Sequence, residues 1–375
     1  MKIGKRILFF ADGASQHSEK WITAQQKNGD TCFWISLHKR NINTKEGIEY
    51  YEFSQGMILY RIFRAVIFAL MLIKKRKIEI VHGHYIGTYG FAAFLVPRPL
   101  ILTAWGSDIL LSPKNSIKRF LIKLIIKRAK IITYDAKHVE LKLLELGALA
   151  NQLWFVNFGV DCEYFNKKNL PNLQEYYSSI GKTEISKRLS QFLDKESFVV
   201  LSNRNLEPIY DIETLIKAWK RVNQEKRNYK LIIAGSGSLS SKLESLVKRL
   251  ELEESILFIG EYNKEELLYL LNNVHIYIST SLSDAGLATS VAEAMACCVP
   301  VIVSNFGDNG KWVINDKTGK LFNTSDHIDL SKKIIEIENH KLSEDIGFSG
   351  RQIIKKNNDY VTEMNKYFSK FENFF

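Results

Sequence analysis

Between Asp284 and Asp308 the chain carries a single charged side chain, Glu293. The run is Asp284-Ala-Gly-Leu-Ala-Thr-Ser-Val-Ala-Glu293-Ala-Met-Ala-Cys-Cys-Val-Pro300-Val-Ile-Val-Ser304. An ionised carboxylate among Ala, Met and Val is costly to desolvate unless something hydrogen-bonds it. The order is small-residue turn, helix from about Leu287 to Cys298, then an apolar strand opened by Pro300. Glu293 is thereby placed where a helix presents a carboxylate to the paired hydroxyls of a nucleotide ribose; a Glu capped by an Arg or by backbone gives the same pattern. A second set of polar groups ends short apolar runs: Asp12-Gly13, His82-Gly83-His84 and Trp105-Gly106-Ser107-Asp108. The histidines also fit the plainer reading of strand-end residues satisfied by backbone.

The elements that must position these groups alternate. Ile7–Phe10, Thr31–Ile35, Ile78–His82, Leu100–Ala104 and Ile131–Tyr134 read as strands separated by helical stretches, the rhythm of a doubly wound parallel sheet. The rhythm restarts with Phe198–Ser202, Lys230–Ala234, Ile256–Ile259 and Ile276–Ser279, interleaved with helices over Asp211–Gln224, Ser240–Leu250 and Lys264–Asn272. In such sheets functional groups belong at the carboxyl ends of the strands. The expected organisation is therefore α/β, with two Rossmann-like doubly wound sheets facing a cleft. The first domain spans 1–165, a polar linker with a short helix 166–196, the second domain 197–352, and a C-terminal helix, 353–375, packs back on the first. A length of 375 residues with 46% hydrophobic and 25% charged side chains fits two folded domains.

The net charge of +11 is unevenly spread: the first 165 residues hold 24 Lys and Arg against 13 Asp and Glu, and the remainder holds 28 against 28. Two segments concentrate the excess. In Met57–Lys77, nine apolar residues (Ala65–Ile73) lie between Arg61, Arg64 and the run Lys74-Lys75-Arg76-Lys77, too few to span a bilayer, which takes ~20. In Lys114–Lys130, with no acid from Asp108 to Asp135, a helix puts Arg119, Lys123, Lys127 and Lys130 on one stripe and Ile117, Leu121, Leu124 and Ile125 on another. Such faces suit an anionic membrane surface. Nucleic acid is not expected as a partner, because the basic residues alternate with aliphatics and no helix-turn-helix, zinc-finger or RNP pattern is present. Cys32, Cys162, Cys297 and Cys298 form no CxxC pair and no metal spacing. With an N-terminal apolar run too short for a signal-peptide core, the expectation is a cytoplasmic protein, peripheral on the inner face of the cell membrane.

Taken together, Ser283-Asp284-Ala-Gly286-Leu-Ala-Thr-Ser-Val-Ala-Glu293-Ala-Met, Phe158-Gly-Val-Asp161-x3-Phe165, Ser202-x-Arg204, Ala234-Gly-Ser-Gly237, Phe258-Ile-Gly260 and Thr318-Gly-x-Leu-Phe322 resemble the retaining glycosyltransferases of family 4, which have the GT-B fold. Gly307-Asp-Asn309-x2-Trp312 and the Trp105–Asp108 turn are similar to a bacterial surface-polysaccharide branch. The resemblance implies transfer of a sugar from a nucleotide-diphosphate donor to a lipid-linked saccharide acceptor in O-antigen, capsule or exopolysaccharide synthesis. Glu293 would bind the ribose hydroxyls, and the amides of Gly286, Leu287 and Ala288 at a helix N-terminus would meet the diphosphate or sugar. Arg204 would neutralise charge growing on the leaving diphosphate. Gly13, Gly235, Gly260 and Asn309 would line the donor. No cofactor and no metal is expected, since the chain has no Asp-x-Asp to chelate one.

The chain departs from the family pattern in four places. The acid eight residues before Glu293 is replaced by Ala285, so Asp284 stands in for it or the contact is lost. The second phosphate cation, six residues after Arg204, is Tyr210, which leaves Arg204, helix dipoles and Lys311 to neutralise the diphosphate. Trp105 takes the place of a His near the transferred sugar, a contact that His84 or Asp108 would supply. Cys297-Cys298 stands where Gly is preferred, and both read as small buried fillers. A GT-B nucleotide-sugar epimerase and a non-catalytic sugar-nucleotide-binding partner subunit are the alternatives. A dehydrogenase is disfavoured by the missing Gly-x-Gly-x-x-Gly after the first strand.

Overall fold

A computed structural model of the chain describes residues 4–39, 47–110, 116–284, 286–337 and 340–375. The backbone divides into two units, Met1–Asn157 with Met364–Phe375, and Phe158–Glu363.

The first unit is built on a seven-stranded parallel sheet: β1 (Arg6–Phe10), β2 (Thr31–Ser36), β3 (Ile48–Glu52), β4 (Ile80–His84), β5 (Leu100–Thr103), β6 (Ile131–Tyr134) and β7 (Leu153–Phe155), in the order β3-β2-β1-β4-β5-β6-β7. The second has six parallel strands: β8 (Phe198–Ser202), β9 (Tyr229–Ala234), β10 (Ile256–Gly260), β11 (Ile276–Ser279), β12 (Val301–Ser304) and β13 (Lys320–Phe322), in the order β10-β9-β8-β11-β12-β13. Each order reverses once, between β1 and β4 and between β8 and β11. These are the switch points at which loops leave in opposite directions and ligands of doubly wound sheets bind.

Both faces of the second sheet are covered, which is why its strands read as continuous apolar runs. Along β8, Val199 and Leu201 enter one core with Tyr277, Met295, Val301 and Ile354, while Phe198 and Val200 enter the other with Trp219, Leu231 and Ile278. Helix Ile212–Glu225 supplies Leu215, Ile216, Trp219 and Val222 at helical spacing to that second core.

Several elements differ from the sequence expectation. β3, β7 and β13 were not anticipated; all three are edge strands, and β3 is only partly buried (Ile-Glu-Tyr-Tyr-Glu), so no apolar run announces it. β4 begins two residues late because its register is set by Ile7 opposite Ile80 and Thr103 opposite His84, which draws both histidines into the strand. The stretch 166–196 is not a linker. Helices Leu173–Ser179 and Thr183–Phe192 bury Leu173, Tyr176, Tyr177, Leu189 and Phe192 in the second unit, their polar residues forming the outer face that made the segment look like a connector. At the C-terminus, helix His340–Asn357 belongs to the second unit, and Met364, Tyr367, Phe368 and Phe371 of helix Tyr360–Phe374 are buried, with Tyr367 against Trp21 of the first.

The helix carrying Glu293 is Thr289–Ala296, and it ends in a Schellman motif: Val299 N–H donates to the Ala294 carbonyl and Cys298 N–H to that of Met295. Cys298 has φ +57°, the left-handed conformation, and is half-buried, whereas Cys297 is fully buried. The preference for Gly here is therefore a backbone requirement and not a matter of size. Among the described residues no helix is long and apolar enough to cross a membrane.

Candidate functional site

At the switch point of the second unit, Arg204 leaves the end of β8 and Asp284 follows the end of β11. Their side chains close across the gap, Arg204 Nη2 donating to Asp284 Oδ1 at 2.6 Å with 11% and 12% of the side chains exposed. Arg204 Nη1 donates to Ser290 Oγ at 3.0 Å, and Ser290 Oγ is itself held by the Tyr277 hydroxyl at 2.9 Å. The guanidinium lies over the Tyr210 ring, 4.4 Å from its centroid. Burial works against the charge on Arg204, but Asp284 with the Tyr277 and Tyr210 oxygens outweighs it and the pKa is raised. The result is a cation fixed on three sides.

Glu293 sits one turn beyond Ser290 on the same helix, half-buried. Its charge and that of Arg204 meet at Tyr262: burial, then Glu293, push that hydroxyl up to about 12, against the pull of Arg204. The Tyr262 hydroxyl donates to the Asn203 carbonyl and accepts from Asn203 Nδ2, both at 3.0 Å. Gly286 and Ala288 are buried, and Leu287 is half-buried, at the N-terminal end of the Glu293 helix. Ala285 lies outside the described residues. Gly235 N–H donates to the Gly260 carbonyl at 2.7 Å, and both glycines line a cavity of about 590 Å³ shared with Arg188, Ser236, Lys248 and Phe258. Asn309 Nδ2 donates to the Ser304 carbonyl at 2.9 Å, while its buried Oδ1 has no partner among the described residues. Lys311 is paired with Asp308 at 2.8 Å.

In the first unit the expected residues take other parts. His84 is fully buried, Nδ1 against Ser18 Oγ at 3.1 Å, among the rings of Phe9, Trp21 and Trp105; burial lowers its pKa to about 3. His82 is sealed likewise, with Nε2 at 2.7 Å from Thr103 Oγ1. In this structure both are core residues. Asp108 spends both oxygens on backbone, accepting from Ile86 N–H at 2.8 Å and Trp105 N–H at 3.1 Å, and burial raises its pKa to about 6. It ties the β4 and β5 loops together. The Gly13 amide donates to Ser36 Oγ at 2.9 Å, and a Cβ at Gly13 would stand 2.3 Å from the Tyr50 hydroxyl.

The second unit thus brings Arg204, Asp284 and the Glu293 helix together, and Gly13, His84 and Asp108 stay in the first. The participation of Ser290, Tyr277 and Tyr262 was not read from the sequence. Ser290 at three residues before Glu293 and Tyr262 just past the end of β10 were the available signals, helical spacing and the strand-end rule.

Two doubly wound parallel sheets in one chain, with a buried cation at the switch point of the second beside a helix bearing a carboxylate, define a GT-B glycosyltransferase. Comparison with known proteins agrees. Residues 183–356 match the family described as glycosyl transferases group 1, and residues 6–136 the one described as glycosyl transferase 4-like. An uncharacterized glycosyltransferase of Methanocaldococcus jannaschii is 30% identical over 291 residues, 76% of this chain and 73% of that one. The N-acetyl-alpha-D-glucosaminyl L-malate synthase of Bacillus anthracis is 21% identical over 288 residues, 75% and 71% of the two chains. The chain belongs to this family of glycosyltransferases, family 4-like. In fold it is similar to Anabaena HepE, solved in complex with UDP, with a TM-score of 0.80 over 99% of this chain and 100% of that one at 16% identity.

Proposed function

We propose that the chain is a retaining, metal-independent glycosyltransferase that moves a sugar from a nucleotide-diphosphate donor to a lipid-linked saccharide in O-antigen, capsule or exopolysaccharide synthesis, working on the inner face of the cell membrane. The observation that carries this reading is Arg204, a nearly buried cation held beside the N-terminal end of the Glu293 helix. Helix N-termini and fixed cations are suited to a diphosphate. As the donor's C1–O bond breaks, negative charge grows on the departing diphosphate, and a preorganised guanidinium stabilises it without reorganising. The acceptor oxygen bonds to C1 on the same face, and its proton passes to the leaving phosphate oxygen, so no dedicated protein base is required. Glu293 binds the ribose hydroxyls. The Anabaena neighbour was solved with UDP and with UDP-glucose, and the Bacillus relative is named for an α-D-glucosaminyl product, the anomer that retention gives from an α-linked donor.

The membrane part rests on two helices of the first unit that flank helix Thr88–Phe94. Ile58–Arg76 exposes Leu59, Phe63 and Met71 beside Arg64, Lys74 and Lys75; Ser116–Arg128 exposes Ile117 and Phe120 beside Lys118, Lys123 and Lys127. Apolar groups ringed by cations match an anionic bilayer.

The test is a thermal-shift screen against UDP, GDP, ADP and CMP, without added metal and with EDTA, on the wild type and Glu293→Ala. A nucleotide at ~100 times its Kd stabilises by ~2.7 kcal/mol. A shift with one nucleotide that survives EDTA and disappears in the variant is expected. No shift with any nucleotide, or the same shift in the variant, counts against it.

A further inference from the structure

Arg204 is oriented by more than its ion pair. Tyr210 lies under the guanidinium in the short 3-10 turn Pro208–Tyr210, and its backbone is pinned to the strand ends that carry Asp284. Thr280 Oγ1 donates to the Tyr210 carbonyl at 2.8 Å, and Leu282 N–H to the Ile209 carbonyl at 2.8 Å. The turn that carries the ring is thereby tied to the segment that leads to Asp284. With Nη2 on Asp284, Nη1 on Ser290 and one face on the ring, Nε is left as a buried donor with no partner among the described residues.

A buried guanidinium N–H without an acceptor is unfavourable by itself. Its neighbours are the loop after β11 and the N-terminal end of the Glu293 helix, where an anion is favoured. We propose that Tyr210 is a positioning residue: its ring face holds the Arg204 guanidinium in the orientation that keeps Nε directed to the leaving diphosphate, in place of the second cation the site lacks. The proposal rests on the reading of Arg204 as the leaving-group cation. A guanidinium over an aromatic face is kept from tilting away from it, an attraction that strengthens when solvent is excluded, while the bonds to Asp284 and Ser290 fix how it is turned above the ring. The site thereby exchanges an additional charge for a fixed direction. The face of the ring does this and its hydroxyl does not, so phenylalanine suffices where an aliphatic side chain fails.

The experiment uses the full chain labelled with 15N-arginine and reads the side-chain Nε–H resonances, that of Arg204 being identified by its loss in Arg204→Lys. The Arg204 signal should be a single ring-shifted line that moves on addition of whichever of UDP, GDP, ADP and CMP stabilises the wild type. Tyr210→Leu should remove the ring shift, and Tyr210→Phe should retain it. In parallel, release of that nucleotide from its glucose diphosphate ester with water as acceptor should fall about tenfold in kcat for Tyr210→Leu with KM nearly unchanged, and Tyr210→Phe should keep the wild-type rate. A Tyr210→Leu protein that keeps the wild-type resonance, or that keeps the wild-type kcat while Arg204→Lys loses it, overturns the proposal. If Arg204→Lys leaves both nucleotide binding and turnover intact, or the wild type ignores UDP, GDP, ADP and CMP alike, the functional reading fails instead, and the ring shift still reports on the clamp.

Discussion

Replacing Asp284 by alanine removes the anion that neutralises Arg204. The two groups are 2.6 Å apart, and only 11% and 12% of their side chains are exposed, so the range of at most about 1 kcal/mol for surface pairs does not apply. Removing one partner of a buried pair costs about 3–5 kcal/mol, because the other charge stays behind in a poor solvent. Ser290 and the Tyr210 ring still hold the guanidinium, which puts the expected loss at the lower end, about 3 kcal/mol. For a unit the size of Phe158–Glu363, 1 kcal/mol corresponds to about 2–4 °C, so its melting transition should fall by about 6–12 °C. In the variant a diphosphate meets Arg204 with no resident competitor, so UDP should raise the melting temperature more than it does in the wild type at the same concentration. Each tenfold gain in affinity adds about 1.4 kcal/mol once the ligand is in excess. Differential scanning calorimetry with and without UDP reads both numbers. A variant that melts with the wild type, or that gains less from UDP than the wild type does, would refute the reasoning.

The first unit should be acid-sensitive. Burial holds His82 and His84 neutral, His84 down to about 3, whereas the unfolded chain takes up a proton at each as the pH falls through about 6.5. Stability is thus lost on acidification, by about 1.4 kcal/mol per pH unit for each histidine below that point, and urea unfolding at about pH 7, 6 and 5 should show a slope that His84→Leu reduces; an unchanged slope contradicts the assignment. Phe63→Ser should weaken binding to phosphatidylglycerol vesicles about tenfold, from the loss of roughly 1.5 kcal/mol of apolar burial, in a sedimentation assay at low salt; wild-type binding would show that this helix face stays out of the bilayer. Cys298→Gly should stabilise the second unit by up to about 1 kcal/mol in urea, since Gly relieves the left-handed strain at that position, and a loss of stability would show that the thiol packs better than the backbone suffers.

The sheets were legible because buried parallel strands are long apolar runs; β8, β11 and β6 lie very near where hydrophobicity puts them. Edge strands escaped because they need no such run, and the helices at 173–192 escaped because tyrosine buries well but reads as polar. Within the site only Glu293 is marked by its isolation in an apolar run; Arg204, between Asn203 and Asn205 with Glu207 close behind, is marked by the family resemblance alone, and it is the structure that shows both charges acting on the Tyr262 hydroxyl. Histidine at a strand end was misleading, because strand register decides whether such a ring faces solvent or core, and β4 is set two residues further than the apolar run alone indicates. The partnership of Tyr210 with Arg204 needs the turn at Pro208–Tyr210 to fold the chain back, and no local pattern specifies that approach.

The first unit is discontinuous in sequence: Tyr367 packs against Trp21, and Phe374 and Lys370 against Trp154. During synthesis these tryptophans emerge long before their cover. All of Phe158–Glu363 must first be made, which at ribosomal rates of about 5–20 residues per second takes roughly 10–40 s. For that interval the nascent first unit carries an open aromatic seam while the second unit is free to fold, so the unit begun first is the one completed last. A chain truncated ahead of Met364 never closes that seam and is the form in which chaperone capture should be greatest.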